Sequence, residues 1–203
     1  MAKDARRSAF GRLIAGLDTP RDREAEAVIA KLVRIGAPIV PDLIATARDD
    51  SVPRVRKWSL QALGAIADPR AARVLVAALD DERMTVRLHA VRGLGRMRHG
   101  PAAKAVARLV GDASGGVRVN AIDALIAIGE GSVGPSIRRA LGDARWYVRQ
   151  HACQACGALG LGDAAAALRK LEGEDPRKAV RVAAGEALRA LGDRARSRDR
   201  GAR

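Results

Sequence analysis

The dipeptide Val-Arg returns along this chain at a nearly fixed interval: Val55-Arg56, Val86-Arg87, Val117-Arg118, Val148-Arg149 and Val180-Arg181. The first three steps are 31 residues and the last is 32. A period of this size marks a stack of one supersecondary unit, in which each copy buries its apolar face against the next. With only 2% aromatic residues, the interior of such a stack must be filled by Ala, Leu and Val.

With each Val set as position zero, the apolar residues fall into register. Position +4 is small (Ser59, Ala90, Ala121, Ala152, Ala184), and +5 holds Leu60, Val91, Ile122, Cys153 or Gly185. Positions +8 (Leu63, Leu94, Leu125, Cys156, Leu188) and +11 (Ile66, Met97, Ile128, Leu159, Leu191) are apolar. The set 0, +4, +8, +11 predicts a helix with one apolar face, helix A. Asp at −5 (Asp50, Asp81, Asp112, Asp143, Asp175) predicts an N-cap or turn ahead of it. Gly, Asp or Pro at about +12 to +15 breaks the chain. Apolar residues at +16, +20, +23 and +24, such as Ala71, Leu75, Ala78 and Leu79, then predict a second helix, B.

Residues 24–48 follow the same template without the Arg, and Phe10–Asp18 aligns with Ala72–Asp80 as a lone helix B. The expected organisation is a flexible N-terminus over 1–9, one solenoid over 10–192 and a basic disordered tail over 193–203. Half repeats at 10–18 and 175–192 cap the two ends. No run of 18 apolar residues exists, so no membrane span is expected. The basic start lacks the apolar stretch of a secretory signal, and a cytoplasmic location is expected.

The repeat (Asp, Val-Arg, Ala at +4, Leu-Gly near the helix end, then Leu-x-x-Ala-Leu) resembles the short HEAT-like repeat of the phycobilin-lyase type over roughly residues 10–192. The resemblance implies an all-α, right-handed α-solenoid of about six helical hairpins, with helix B on the concave face. Proteins with such repeats include chromophore lyase subunits, a di-iron protein hydroxylase and plain binding scaffolds. Function must therefore be argued from the site.

Several residue groups invite a functional reading. The Arg at +1 (Arg56, Arg87, Arg118, Arg149, Arg181) matches the Asp at −5 in number, which predicts a structural ion-pair ladder within or between repeats. Cys153 and Cys156 form a C-x-x-C, but they occupy core positions, and His151 is rotated roughly 200° from Cys153 on the same helix. Neither a metal site nor a cofactor is expected. His89 and His151 share position +3 two repeats apart, too far to share a metal. Trp146-Tyr147 is either an exposed contact pair or a wedge half-buried between repeats. For catalysis, only Asp42 and Ser136 on helix B qualify, and weakly, so an enzyme is not expected.

The formal net charge of +14 points to an acidic partner, although Arg-rich composition also follows from GC-rich codons. Placement decides between the two. Positions +18, +21 and +22 lie opposite helix B's apolar face. In four repeats they hold Arg73, Lys104, Arg108, Arg138, Arg139, Arg169 and Lys170, with Val76, Ala77, Ala107, Pro135 and Ala166 as the remainder. None is acidic, and chance placement would give about two cations. The expected function is a non-catalytic, monomeric scaffold that binds an acidic protein or peptide. Nucleic-acid binding is the alternative, weakened by the scarcity of aromatic side chains for stacking. A lyase-like accessory subunit is the third reading.

Overall fold

The computed structural model describes the backbone of residues 2–49, 52–130 and 133–201, and the side chains of 9–48, 52–130 and 133–194. Among the described residues there are twelve α-helices, joined by loops and 3₁₀ turns, and no strand. The chain divides into two compact units, residues 1–99 and 100–203. The first contains α1 (Ala2–Ala15), α2 (Asp22–Ile35), α3 (Val40–Asp49), α4 (Pro53–Ile66), α5 (Ala72–Ala77) and α6 (Met84–Arg96). The second contains α7 (Ala103–Arg108), α8 (Gly115–Ile128), α9 (Gly134–Ala140), α10 (Trp146–Leu159), α11 (Ala165–Glu174) and α12 (Lys178–Gly201). Helices of type A are α2, α4, α6, α8, α10 and α12, and those of type B are the odd-numbered ones. Within the first unit α2 packs on α4 and α4 on α6, while α1 packs on α3 and α3 on α5. Within the second, α8 packs on α10 and α10 on α12, while α7 packs on α9. This is an all-α solenoid built of repeated hairpins.

Local chemistry sets where helix A starts. The carboxylate at −5 accepts the backbone N–H two residues on: Arg83 to Asp81, Ser114 to Asp112 and Arg145 to Asp143 at 2.8 Å each, and Arg177 to Asp175 at 2.9 Å. Each Asp thus closes a turn three residues ahead of the helix rather than serving as its N-cap. Asp50 lies outside the described residues. Helix B is short: 3₁₀ turns at Pro69–Ala71 and Ala78–Asp80 flank the six residues of α5.

The core differs from the predicted face in one respect. Val86, Val117, Val148 and Val180 at zero are buried, as are Leu63, Leu94, Leu125 and Cys156 at +8. Each such side chain contributes roughly 1.5–3 kcal/mol. The +11 residues Ile66, Met97, Ile128 and Leu159 are only half-buried. Position +7 is buried instead, as Ala62, Gly93, Ala124, Ala155 and Ala187. Successive A helices cross there. A Cβ on Gly64 would lie 2.5 Å from the Gly93 Cα, and one on Gly157 would lie 3.1 Å from the Ala187 Cα. The recurrent Leu-Gly near the helix end is therefore a packing device.

The backbone of α1 is helical from Ala2 through the stretch up to residue 9, and that of α12 to Gly201 through the stretch from residue 193. Both stretches are rich in Ala and Arg and free of Pro, so a packed helix propagates through them at little cost. No helix among the described residues is long and apolar enough to cross a membrane.

Candidate functional site

The +1 arginines and −5 aspartates join consecutive repeats. Arg56 Nε and Nη2 donate to the two oxygens of Asp81 at 3.1 and 3.2 Å. Arg149 does the same to Asp175 at 2.7 and 3.0 Å. Arg118 Nη2 donates to Asp143 at 2.9 Å, with Nε 2.8 Å from the other oxygen. In these three pairs the carboxylate belongs to the following repeat. The same arginines reach back to the preceding loop of their own repeat. Nη1 of Arg87, Arg118, Arg149 and Arg181 donates to the carbonyl of Asp81, Asp112, Asp143 and Asp175 respectively, at 2.7–3.0 Å. The three Arg–Asp pairs are at most 15% exposed. The Arg149 guanidinium holds the Asp175 carboxyl below its usual range, against the opposing effect of burial.

The other conspicuous side chains fall into place around this frame. Cys153 and Cys156 are fully buried free thiols, pushed up to about 12 chiefly by burial, so neither is a ready nucleophile or metal ligand. Among the described residues no three His, Cys, Asp or Glu side chains converge as a metal site. The two +3 histidines diverge. His151 Nδ1 lies 2.7 Å from Asp123 Oδ1, and that hydrogen bond raises its pKa. His89 stacks tilted against Trp58 at 5.6 Å, and burial, then Arg92 and Lys57, lower its pKa to about 4. The pair Trp146-Tyr147 is divided in its surroundings. Tyr147 is half-buried with its hydroxyl where a Cβ on Gly115 would sit, while Trp146, edge-on to it at 5.9 Å, is 39% exposed. Of the weak catalytic candidates, Asp42 and Ser136 are both half-buried, and they belong to different units.

The basic row lies on the exposed side of helix B. Arg73 is exposed on α5 in the first unit. In the second unit Lys104 and Arg108 on α7, Arg139 on α9, and Arg169 and Lys170 on α11 are exposed. Arg138 differs from its neighbours in the row. It is half-buried and its Nη1 lies 2.6 Å from Asp163 Oδ2, so its charge is matched within the chain. Asp163 stands at +15, in the loop between helices, outside the positions counted for helix B. Between α7 and α9 a cavity of about 220 Å³ opens, lined by Lys104, Arg108, Ser136 and Arg139 together with Val110 and Gly111. No acidic side chain lines it.

Stacked helical hairpins with a basic face on the second helices define a repeat solenoid. Residues 12–87 and 134–199 match HEAT repeats, and the chain belongs to the HEAT-repeat family. No curated protein sequence matches it. Among solved structures the fold is similar to YibA of Escherichia coli, at 20% identity and TM-score 0.74 over 88% of this chain and 69% of that one. It is also similar to the CpcE–CpcF complex of phycocyanin lyase from Nostoc sp., at 22% identity and TM-score 0.61 over 84% and 73%. A designed armadillo repeat protein in complex with the peptide (KR)4 matches at 21% identity and TM-score 0.60 over 89% and 98%. At these identities the likeness is one of fold.

Proposed function

We propose that this chain is a non-catalytic scaffold that captures an acidic protein segment along the exposed face of its B helices. The observation that carries the reading is the row Lys104, Arg108, Arg139, Arg169 and Lys170, all exposed on α7, α9 and α11. The designed armadillo protein in complex with the peptide (KR)4 supports the mode of binding, because a similar fold there binds a charged peptide. Here the sign is reversed, so the complementary peptide is acidic. The test is capture of partners from the native host with the double variant Arg139→Glu, Arg169→Glu. Loss of an acidic partner that wild type retains is the expected result, and unchanged capture refutes the reading.

A second reading is favoured by the net charge of +14. A nucleic acid would bind the same face with a steep salt dependence, because each neutralised phosphate releases counterions. Anisotropy of labelled duplex and single-stranded DNA across a salt series decides. No binding at low salt removes that reading.

A further inference from the structure

We infer that Arg181, at the start of α12, is a receptor for an aspartate side chain carried on a loop or extended segment of a partner protein. The site is separate from the B-helix row and does not depend on it. The chain's own repeats show what an arginine at this position holds. Nη1 of Arg118 and Arg149 donates to the carbonyl of the Asp at −5 in the same repeat, at 2.9 and 2.8 Å. The other edge of each guanidinium, Nε with Nη2, meets a carboxylate of the next repeat, Asp143 or Asp175. Arg181 keeps the first half of this arrangement, with Nη1 donating to the Asp175 carbonyl at 2.7 Å. Its Nε and Nη2 have no hydrogen-bond or ion-pair partner among the described residues. The Asp175 carboxylate, which feels the Arg181 charge, is engaged at both oxygens by Arg149. Arg181 is half-buried and held at one nitrogen, so its second edge is a fork already restrained for a carboxylate.

The repeat template breaks at this point. The helix α12 runs without a turn through +12 to +15, so no helix B follows it in register. Position +9, where Gly64 and Gly157 let the following A helix approach, is Arg189. Position +5, buried as Leu60, Val91, Ile122 and Cys153, is Gly185. Position +24, buried as Leu79, Val110 and Leu141, is the exposed Glu172. These polar and small residues replace the apolar contacts that a further helix needs, while the arginine fork is retained. The ligand is therefore a single acidic side chain on irregular backbone, not another repeat. One carboxylate per guanidinium is also the stoichiometry of the three internal pairs. Glu172 is the internal competitor. Its Oε1 lies 2.6 Å from where a Cβ on Gly185 would be, one helical turn beyond Arg181, and it forms no ion pair with a described residue.

The experiment follows the arginine Nε–H signals of the full chain by NMR, with Arg181→Lys identifying the Arg181 signal by its loss. The probes are three short peptides: acetyl-Gly-Gly-Asp-Gly-Gly-amide, the same peptide with Asn for Asp, and acetyl-pentaglycine with a free C-terminal carboxylate. The Asp peptide is expected to shift the Arg181 signal with a half-saturating concentration at least about tenfold below that for the exposed Arg169. The Asn peptide should leave it in place, and Glu172→Gln should lower the half-saturating concentration further. A response at Arg181 no stronger than at Arg169, or an equal response to the Asn peptide, overturns the receptor. A stronger response to the free C-terminus overturns the side-chain assignment. If Glu172→Gln alone moves the Arg181 signal and the Asp peptide does not, Glu172 is its partner and the inference fails. None of these outcomes bears on the Arg139 and Arg169 capture test, which reads the B-helix row.

Discussion

At the start of helix A, Arg56, Arg118 and Arg149 are almost buried, and each grips a carboxylate of the next repeat. On helix B, Arg139, Arg169, Lys104 and Lys170 carry the same charge in solvent. The difference teaches that charge alone does not identify a binding surface in a basic repeat protein. The first set is regular because each of its members ties one repeat to the next. The second varies in identity from repeat to repeat and is held in common only by its face. A buried charge without its partner is strongly unfavourable, whereas an exposed one is well solvated and available.

Breaking the first set gives the largest effect. Asp175→Ala leaves the Arg149 guanidinium without its carboxylate and is expected to cost about 3 kcal/mol or more, read from denaturant midpoints. A cost below about 1 kcal/mol would place the ladder with ordinary surface pairs. Changing the second set gives the opposite pattern. Arg139→Glu with Arg169→Glu should leave stability within about 0.5 kcal/mol and weaken an acidic partner more than tenfold by calorimetry.

Acid sharpens the contrast further. The Asp175 pKa is depressed in the folded state, so its contribution is present above the ordinary carboxylate pKa and lost as pH falls through the depressed value. Asp175→Asn should flatten the acid limb of a stability–pH curve. The two +3 histidines give effects opposite in sign to each other. The raised His151 pKa stabilises the fold below its ordinary value and ceases to do so as pH rises through the raised value. His89, lowered to about 4, stabilises above 6.5 and loses that contribution as pH falls toward 4. Proton NMR should find His89 titrating near 4 and His151 above 6.5. The smallest effect is expected at Arg138, where Arg138→Gln removes a surface pair with Asp163 and should cost less than about 1 kcal/mol.

The register of Val55, Val86, Val117, Val148 and Val180 made both helices of each unit, and most core positions, readable from the chain itself. A period exposes whatever every copy must keep. It also places Cys153 and Cys156 in the core without any structure. What it cannot expose is contact between copies. An Asp at −5 stands in the same relation to every Arg in the period, so only coordinates reveal that Arg56 takes Asp81 of the next repeat. Position +7 escaped notice because smallness there reflects the neighbouring helix, as between Gly64 and Gly93. The matching of Arg138 by Asp163 and of His151 by Asp123 rests on residues that occur once, and a repeat average hides them.

The Arg–Asp joint spans two successive repeats, one half supplied by each. Copies joined in this way, such as those led by Val55 and Val86 or by Val117 and Val148, fit together by the same coupling, whatever else their sequences carry. Excision of residues 119–149 would bring Arg118 into the place of Arg149, opposite Asp175, and regenerate the coupling at the scar. Such a gene could gain or lose whole cassettes of 31 residues in frame without inventing an interface, and so change the reach of its B-helix face in discrete steps.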